Sequence, residues 1–305
     1  MPAIERAAAV FAGGGSVVAL LAWVYGVASF QRAFLAVGVP SLVVLGSLAW
    51  RARRSPALAD LLAAGAVGGL LGTFAYDLFR IPFVVAGFRV LAPIDSYGVL
   101  LLGASESSPW TGGAGWAFHL LNGVGFGIVY AALARRERRH WAWAVAWAMV
   151  LETATVVTPF ARVYGIAGHA DLLLLAFAAH VAYGVPLGLV VARGLPSART
   201  AAGAVAGALV ALVAWQHPWS SPAPDRAGRA AAGPSTMVVS DRFRPEWVRI
   251  RPGACVTLLR DGSATRELCP AGQPAPRVVR HKVGDKPFSG GFVLIDPYQV
   301  GGGAR

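Results

Sequence analysis

The sequence predicts a polytopic α-helical membrane bundle of about seven spans, N-terminus inside and C-terminus outside, followed by a small C-terminal β domain. Three observations carry this. Of 305 residues, 56% are hydrophobic and only 14% charged, with a mean hydropathy of +0.56, whereas a soluble domain needs about 25% charged residues to cover its surface. The apolar residues gather in runs close to the ~20 needed to cross the hydrocarbon. The net charge of +12 is almost wholly arginine, and those arginines cluster in the short stretches between the runs. Such a composition excludes an ordinary soluble enzyme.

Spans are expected at 8–29, 33–50, 57–79, 113–134, 141–160, 170–192 and 200–216, the last short and rich in Ala and Gly. The first follows Arg6 and exceeds the ~7–15 residue core of a signal peptide, and no small-x-small cleavage site follows it. Segment 81–112 holds Arg89, Pro93, Asp95 and Glu106 among apolar residues. Its parity follows from the positive-inside rule. Arg51, Arg53 and Arg54, then Arg135, Arg136, Arg138 and Arg139, then Arg193 and Arg199 mark three cytoplasmic loops. A single crossing by 81–112 would put one cluster outside, so 80–112 is read as interfacial or re-entrant. Residues 1–216 form the transmembrane domain. Their 14 arginines against 8 acidic residues set topology and do not make a nucleic-acid patch. The Trp141, Trp143, Trp147 run beside the 135–140 loop reads as an interfacial aromatic belt.

Composition shifts at His217. Residues 217–235 (HPWSSPAPDRAGRAAAGPS) read as a linker, and 236–305 as an extracytoplasmic β domain. Alternation such as Val248-x-Ile250 and Val256-x-Leu258, broken by Pro252-Gly253, predicts short strands joined by turns. Phe292-Val293-Leu294-Ile295 supplies a late strand. Cys255 and Cys269 are the only cysteines and both lie in this tail. Their spacing matches neither C-x-x-C nor a metal knuckle, and in an oxidising compartment such a pair usually forms a disulfide.

Phe243-x-Pro245-x-x-Val248-x-Ile250-x-Pro252-Gly253-x-x-Val256 resembles the opening strands of cupredoxins, the plastocyanin-like β-sandwiches. The resemblance covers less than a quarter of the chain and implies a cupredoxin-like β-sandwich. It implies no copper ligands here: the family centre uses two His, a Cys and usually a Met, and residues 282–305 contain none of these. His281 stands alone.

Functional information should concentrate where ionisable groups enter the hydrocarbon, at about 2.5–3.5 kcal/mol or more each for Asp, Lys or Arg at the centre. With the orientation above, Asp77 and Arg80, His119, Glu152 and His180 come from four helices to overlapping depths in the outer half. Asn122 shares the His119 face, Tyr183 the His180 face, and Thr153 follows Glu152. Asp77 and Arg80 can pair at i,i+3. Gly123 and Gly127 allow close helix approach.

Three readings follow. Interhelical hydrogen bonds could simply fix packing. A metal or haem site could use His119 and His180 with Glu152, taking copper, zinc or haem. Glu152 and the histidines could relay protons in a transport or redox path. The leading expectation is a redox or metal-handling component of a bacterial-type inner membrane; the alternatives are a proton-coupled transporter and a non-catalytic scaffold whose tail binds a partner. Whether it is an enzyme stays open. No membrane lysine exists for a retinal Schiff base, and P-loop and H-E-x-x-H motifs are absent. Expected partners are the lipid bilayer and an extracytoplasmic protein or acidic partner for the tail, with its 13 basic against 7 acidic residues; nucleic acid is not expected.

Overall fold

The computed structural model describes residues 2–86, 90–134, 141–193, 203, 207, 236–239, 243–244, 247–260, 263–269, 276–281 and 291–298. The N-terminal part is helical: α1 (Ala3–Val24), α2 (Phe30–Ala33) continuing through a π turn (Phe34–Gly38) into α3 (Val39–Ala52), α4 (Pro56–Val85), α5 (Ala92–Leu102), α6 (Pro109–Leu133), α7 (Trp141–Val157), α8 (Phe160–Val163) and α9 (Ala170–Arg193). Among the described residues, five helices are long and apolar enough to cross a membrane: α1, Phe30–Ala52, α4, α6 and α9. Helix α7 is apolar but has 17 residues. The expected run 200–216 lies outside the described residues apart from Gly203 and Gly207.

Local chemistry sets the boundaries. Gly26 takes a left-handed φ of 72° just after α1, and Ser29 caps the next helix by accepting from Arg32 N. At α6, Ser108 and Thr111 form a reciprocal capping box with Pro109 in the first turn. Helix α4 overruns the expected end at 79 and continues through Pro82 to Val85. Membrane helices tolerate proline where neighbours re-satisfy the backbone, and Arg80 is neutralised inside the helix by Asp77.

Small residues let the helices pack closely. A Cβ on Gly69 would lie 2.3 Å from the Gly123 carbonyl, and one on Gly125 would lie 2.2 Å from that of Gly13. So α4 meets α6, and α6 meets α1, backbone to backbone, which is how helices associate where lipid removes the hydrophobic drive. Helix α9 packs on α4 and α7.

Two clusters mark the two ends of the bundle. One joins Ala9, Leu48, Leu58, Ala132 and Val191, and there Arg51 Nη2 donates to Glu5 Oε1 at 2.8 Å. The other joins Trp23, Phe30, Val99, Phe118, Tyr164 and Leu172 to Trp247, Phe292 and Leu294 of the C-terminal strands. Arg51, Arg53, Arg54 and Arg193 therefore lie at the end remote from the β region.

Among its described residues that region has seven strands: β1 (Thr236–Val239), β2 (Phe243–Arg244), β3 (Trp247–Ile250), β4 (Val256–Arg260), β5 (Ser263–Leu268), β6 (Arg277–His281) and β7 (Gly291–Ile295). They form two sheets, ordered β2-β1-β4-β5 and β3-β7-β6, with β1·β4 and β3·β7 parallel. Met237, Val256 and Leu258 from one sheet and Val248, Ile250, Val293 and Ile295 from the other share one apolar core. Cys255 and Cys269 are joined in a disulfide just outside it.

The β region is fastened to the helices. Arg249 donates to Asp296, which is fully buried, and Trp23 Nε1 of α1 donates to the same carboxylate at 3.2 Å. Tyr298 donates its hydroxyl to the Gly26 carbonyl. Ser107 N donates to the Trp247 carbonyl at 2.9 Å and Arg249 N to that of Ser105 at 2.8 Å, so the segment after α5 runs along β3.

Candidate functional site

The helices surround a cavity of about 310 Å³ in the half of the bundle next to the β region. Its walls come from the C-terminal halves of α1, α4 and α7, the middle of α6 and the N-terminal part of α9. Pro93 and Tyr97 of α5, with Phe160 and Ile166, line it as well. Most of the wall is apolar. The polar side chains on it are Thr73, Tyr76, Arg80, Tyr97, His119, Asn122, Glu152, Thr155, Thr158, His180 and Tyr183, with Asp77 immediately behind.

Two histidine–carboxylate pairs organise it. His119 Nε2 lies 3.1 Å from both Asp77 oxygens, and Asp77 also accepts from Arg80. The Arg80 guanidinium sits 4.1 Å over the Tyr76 ring and donates a second bond to the Val90 carbonyl at 3.2 Å. On the other pair, His180 Nδ1 lies 3.3 Å from Glu152 Oε2 and 2.9 Å from the Ala176 carbonyl. An ionised carboxylate and a carbonyl only accept, so His119 Nε2 and His180 Nδ1 are the protonated nitrogens. The Tyr76 ring stands between the pairs, 4.9 Å from the His180 ring and 6.1 Å from that of His119.

Of the residues singled out from sequence, Asp77, Arg80, His119, Asn122, Glu152, His180 and Tyr183 come together here. Tyr183 donates to the Gly123 carbonyl at 2.8 Å, tying α9 to α6. Asn122 Oδ1 is buried with no hydrogen-bond partner among the described residues. Thr153 does not join: it is exposed and donates to Met149 O of its own helix at 2.8 Å. Thr155 and Thr158 also bond within α7, not across helices. Tyr130, 11 residues after His119 on α6, belongs to the far cluster about three turns away.

The ligand set expected for a metal is not gathered. Among the described residues, the group of three metal-capable side chains with ligand atoms within 4.8 Å of one another is Cys255, Glu267 and Cys269, whose sulfurs are bonded together. His119, His180 and Glu152 form no such group, because Asp77 holds one ring and the Tyr76 ring separates it from the other.

Sequence reasoning missed Tyr76, although its i,i+4 spacing to Arg80 is a readable signal. It also missed Ser96, beside the cavity-lining Pro93 and Tyr97. Ser96 donates to Pro93 O at 2.6 Å and lies 2.8 Å from the Tyr164 hydroxyl. Burial pushes the Tyr164 phenol well above its ordinary value, which keeps it a neutral donor to Ser96. Arg89 of segment 81–112 lies outside the described residues. His169 is exposed, and the His281 side chain also lies outside what is described.

No family model matches this chain, and neither a curated protein nor a solved structure does.

Proposed function

We propose that this membrane protein binds a small molecule in the cavity and exchanges protons with it through the His119–Asp77 and His180–Glu152 pairs. This is the proton-coupled reading of the chain. The observation that carries it is the cavity itself, about 310 Å³ with both pairs on its wall, within the ~300–1,000 Å³ range of small-molecule sites. Interhelical hydrogen bonding alone would account for the pairs but would call for a filled core. A metal centre would call for ligand atoms that converge, and these are held apart by Asp77 and Tyr76.

The full topology belongs to the same proposal: seven crossings, N-terminus inside, in an inner membrane, with the C-terminal sheets outside as a cupredoxin-like sandwich. From Leu172, beside the β region, α9 runs about 32 Å to Arg193. Residues 194–235 then have to return to the end where β1 begins, and the apolar run 200–216 is the segment suited to that crossing. Helix α5, at 11 residues and about 16 Å, is too short to cross, which favours the stretch between α4 and α6 as interfacial or re-entrant.

The test is native mass spectrometry of the full chain released from membrane vesicles. A small molecule should be retained by the wild type and lost in Ala154→Trp, which fills the cavity from an exposed position on α7. Its retention should vary with pH in the wild type and much less in Glu152→Gln. A wild-type protein without bound molecule, or retention equal in both variants at every pH, would overturn the reading.

A further inference from the structure

We infer that the cavity's ligand is an uncharged aromatic molecule bearing hydroxyl groups, of the phenol or hydroquinone class, held by hydrogen bonds to His119 Nδ1 and His180 Nε2. This deepens the small-molecule reading above and rests on it.

The argument begins with which ring nitrogens are committed. His119 spends Nε2–H on Asp77, and His180 spends Nδ1–H on the Ala176 carbonyl beside Glu152. A neutral imidazole with one nitrogen protonated presents the other as a bare acceptor. Those acceptors are His119 Nδ1 and His180 Nε2. Neither makes a hydrogen bond among the described residues, neither is a fully enclosed orphan, and both rings line the cavity.

Tyr183 gives its hydroxyl hydrogen to Gly123, and Thr73, Thr155 and Thr158 give theirs to nearby backbone carbonyls. Arg80, Tyr76, Tyr97 and Asn122 also line the space and carry donors, but the two bare imidazole nitrogens are complemented only by a molecule that donates. A ligand with only carbonyl oxygens would leave both imidazole nitrogens desolvated and unpaired, which is expensive in a low-dielectric site.

Charge keeps the ligand's hydroxyls protonated. Arg80 is matched by Asp77, and a neutral His180 leaves the Glu152 carboxylate uncompensated on the wall. An anionic ligand would meet that like charge with no free counter-charge and would bear the full desolvation penalty. The walls decide that it is aromatic. Tyr76, Tyr97, Phe126 and Phe160 line the space, and ring–ring contacts add to area burial.

The experiment compares trimethylhydroquinone with its dimethyl ether, which keeps the ring and loses both donors. Binding to the full chain in nanodiscs is measured calorimetrically under anaerobic conditions, with partitioning into empty nanodiscs subtracted. The hydroquinone should bind at least about tenfold more tightly than the ether, as expected for one or two hydrogen bonds. Trimethylbenzoquinone, an acceptor only, should behave like the ether. In His180→Phe the preference should shrink while ether binding stays, and Ala154→Trp should abolish binding of all three. Equal binding of hydroquinone and ether to the wild type overturns the inference, and that comparison needs no variant to fold. Failure of every probe, with a different molecule still retained in the mass spectrum, overturns the ligand class and leaves the small-molecule reading standing. Failure of every probe with an empty mass spectrum overturns both.

Discussion

Asp77 accepts from His119 of α6 and Arg80 of α4 at once, with His119 Nε2 3.1 Å from each of its oxygens. One carboxylate thus neutralises the buried guanidinium, fixes the tautomer of a cavity-lining imidazole and joins two helices.

Asp77→Asn should therefore be severely destabilising. Removing one partner of a buried pair typically costs about 3–5 kcal/mol, and Arg80 is only 8% exposed. Unfolding of the detergent-solubilised protein in SDS measures it. The double variant Asp77→Asn, Arg80→Leu should recover a large part of the loss, because it removes the orphaned charge.

The glycine contacts between α4 and α6 make a sharper prediction than helix propensity does. Gly69→Ala places a Cβ 2.3 Å from the Gly123 carbonyl and must part the helices, whereas Gly14 has nothing within 4 Å. Gly69→Ala should cost about 1–3 kcal/mol as an overpacking change. Gly14→Ala should be neutral or slightly stabilising. The same SDS titration separates them.

Asp296 fastens the β region to the bundle, holding Arg249 of β3 and Trp23 of α1. Asp296→Asn should raise hydrogen exchange along β3 and β7 and in the Ser105–Ser107 segment that β3 contacts. Trp23→Phe removes one donor and leaves the carboxylate with Arg249 and Tyr298 N, so it should cost only about 1 kcal/mol. If the two variants exchange alike, the Asp296–Arg249 pair is not what secures the region.

Reducing the Cys255–Cys269 bond, which closes a 14-residue separation, should weaken the β region by about 3 kcal/mol in the chain-entropy model. Near-ultraviolet circular dichroism and thermal melts of the Cys255→Ser, Cys269→Ser variant report it. The helices should melt unchanged, since both cysteines flank β4 and β5 in the sheet whose core is separate from the helical clusters.

Orientation has its own test. Single cysteines at 105 and 162, both exposed positions, should react with an impermeant maleimide from the outer face, and those at 53 and 137 only from the cytoplasm. The native pair is oxidised and leaves no background thiol. Labelling of 53 and 137 from opposite faces would refute the parity argument for 80–112.

The sequence by itself determined that the chain is a membrane protein with a β tail, because apolar run length and arginine clustering respond to the bilayer directly. It also identified the ionisable groups worth following, since each is costly in hydrocarbon and stands out against apolar neighbours. Their partners were decided only by tertiary structure. Spacing along one helix says nothing of which ring nitrogen meets which carboxylate on another. The pairing depends on how closely Gly69 and Gly123 let α4 approach α6, which places Asp77 beneath His119. The same packing puts the Tyr76 ring between the histidines and turns an apparent ligand trio into two separate pairs around a cavity. The docking of Trp247 and Asp296 onto α1 is likewise invisible in pattern, because both read as ordinary residues of a strand and its end until the two domains meet.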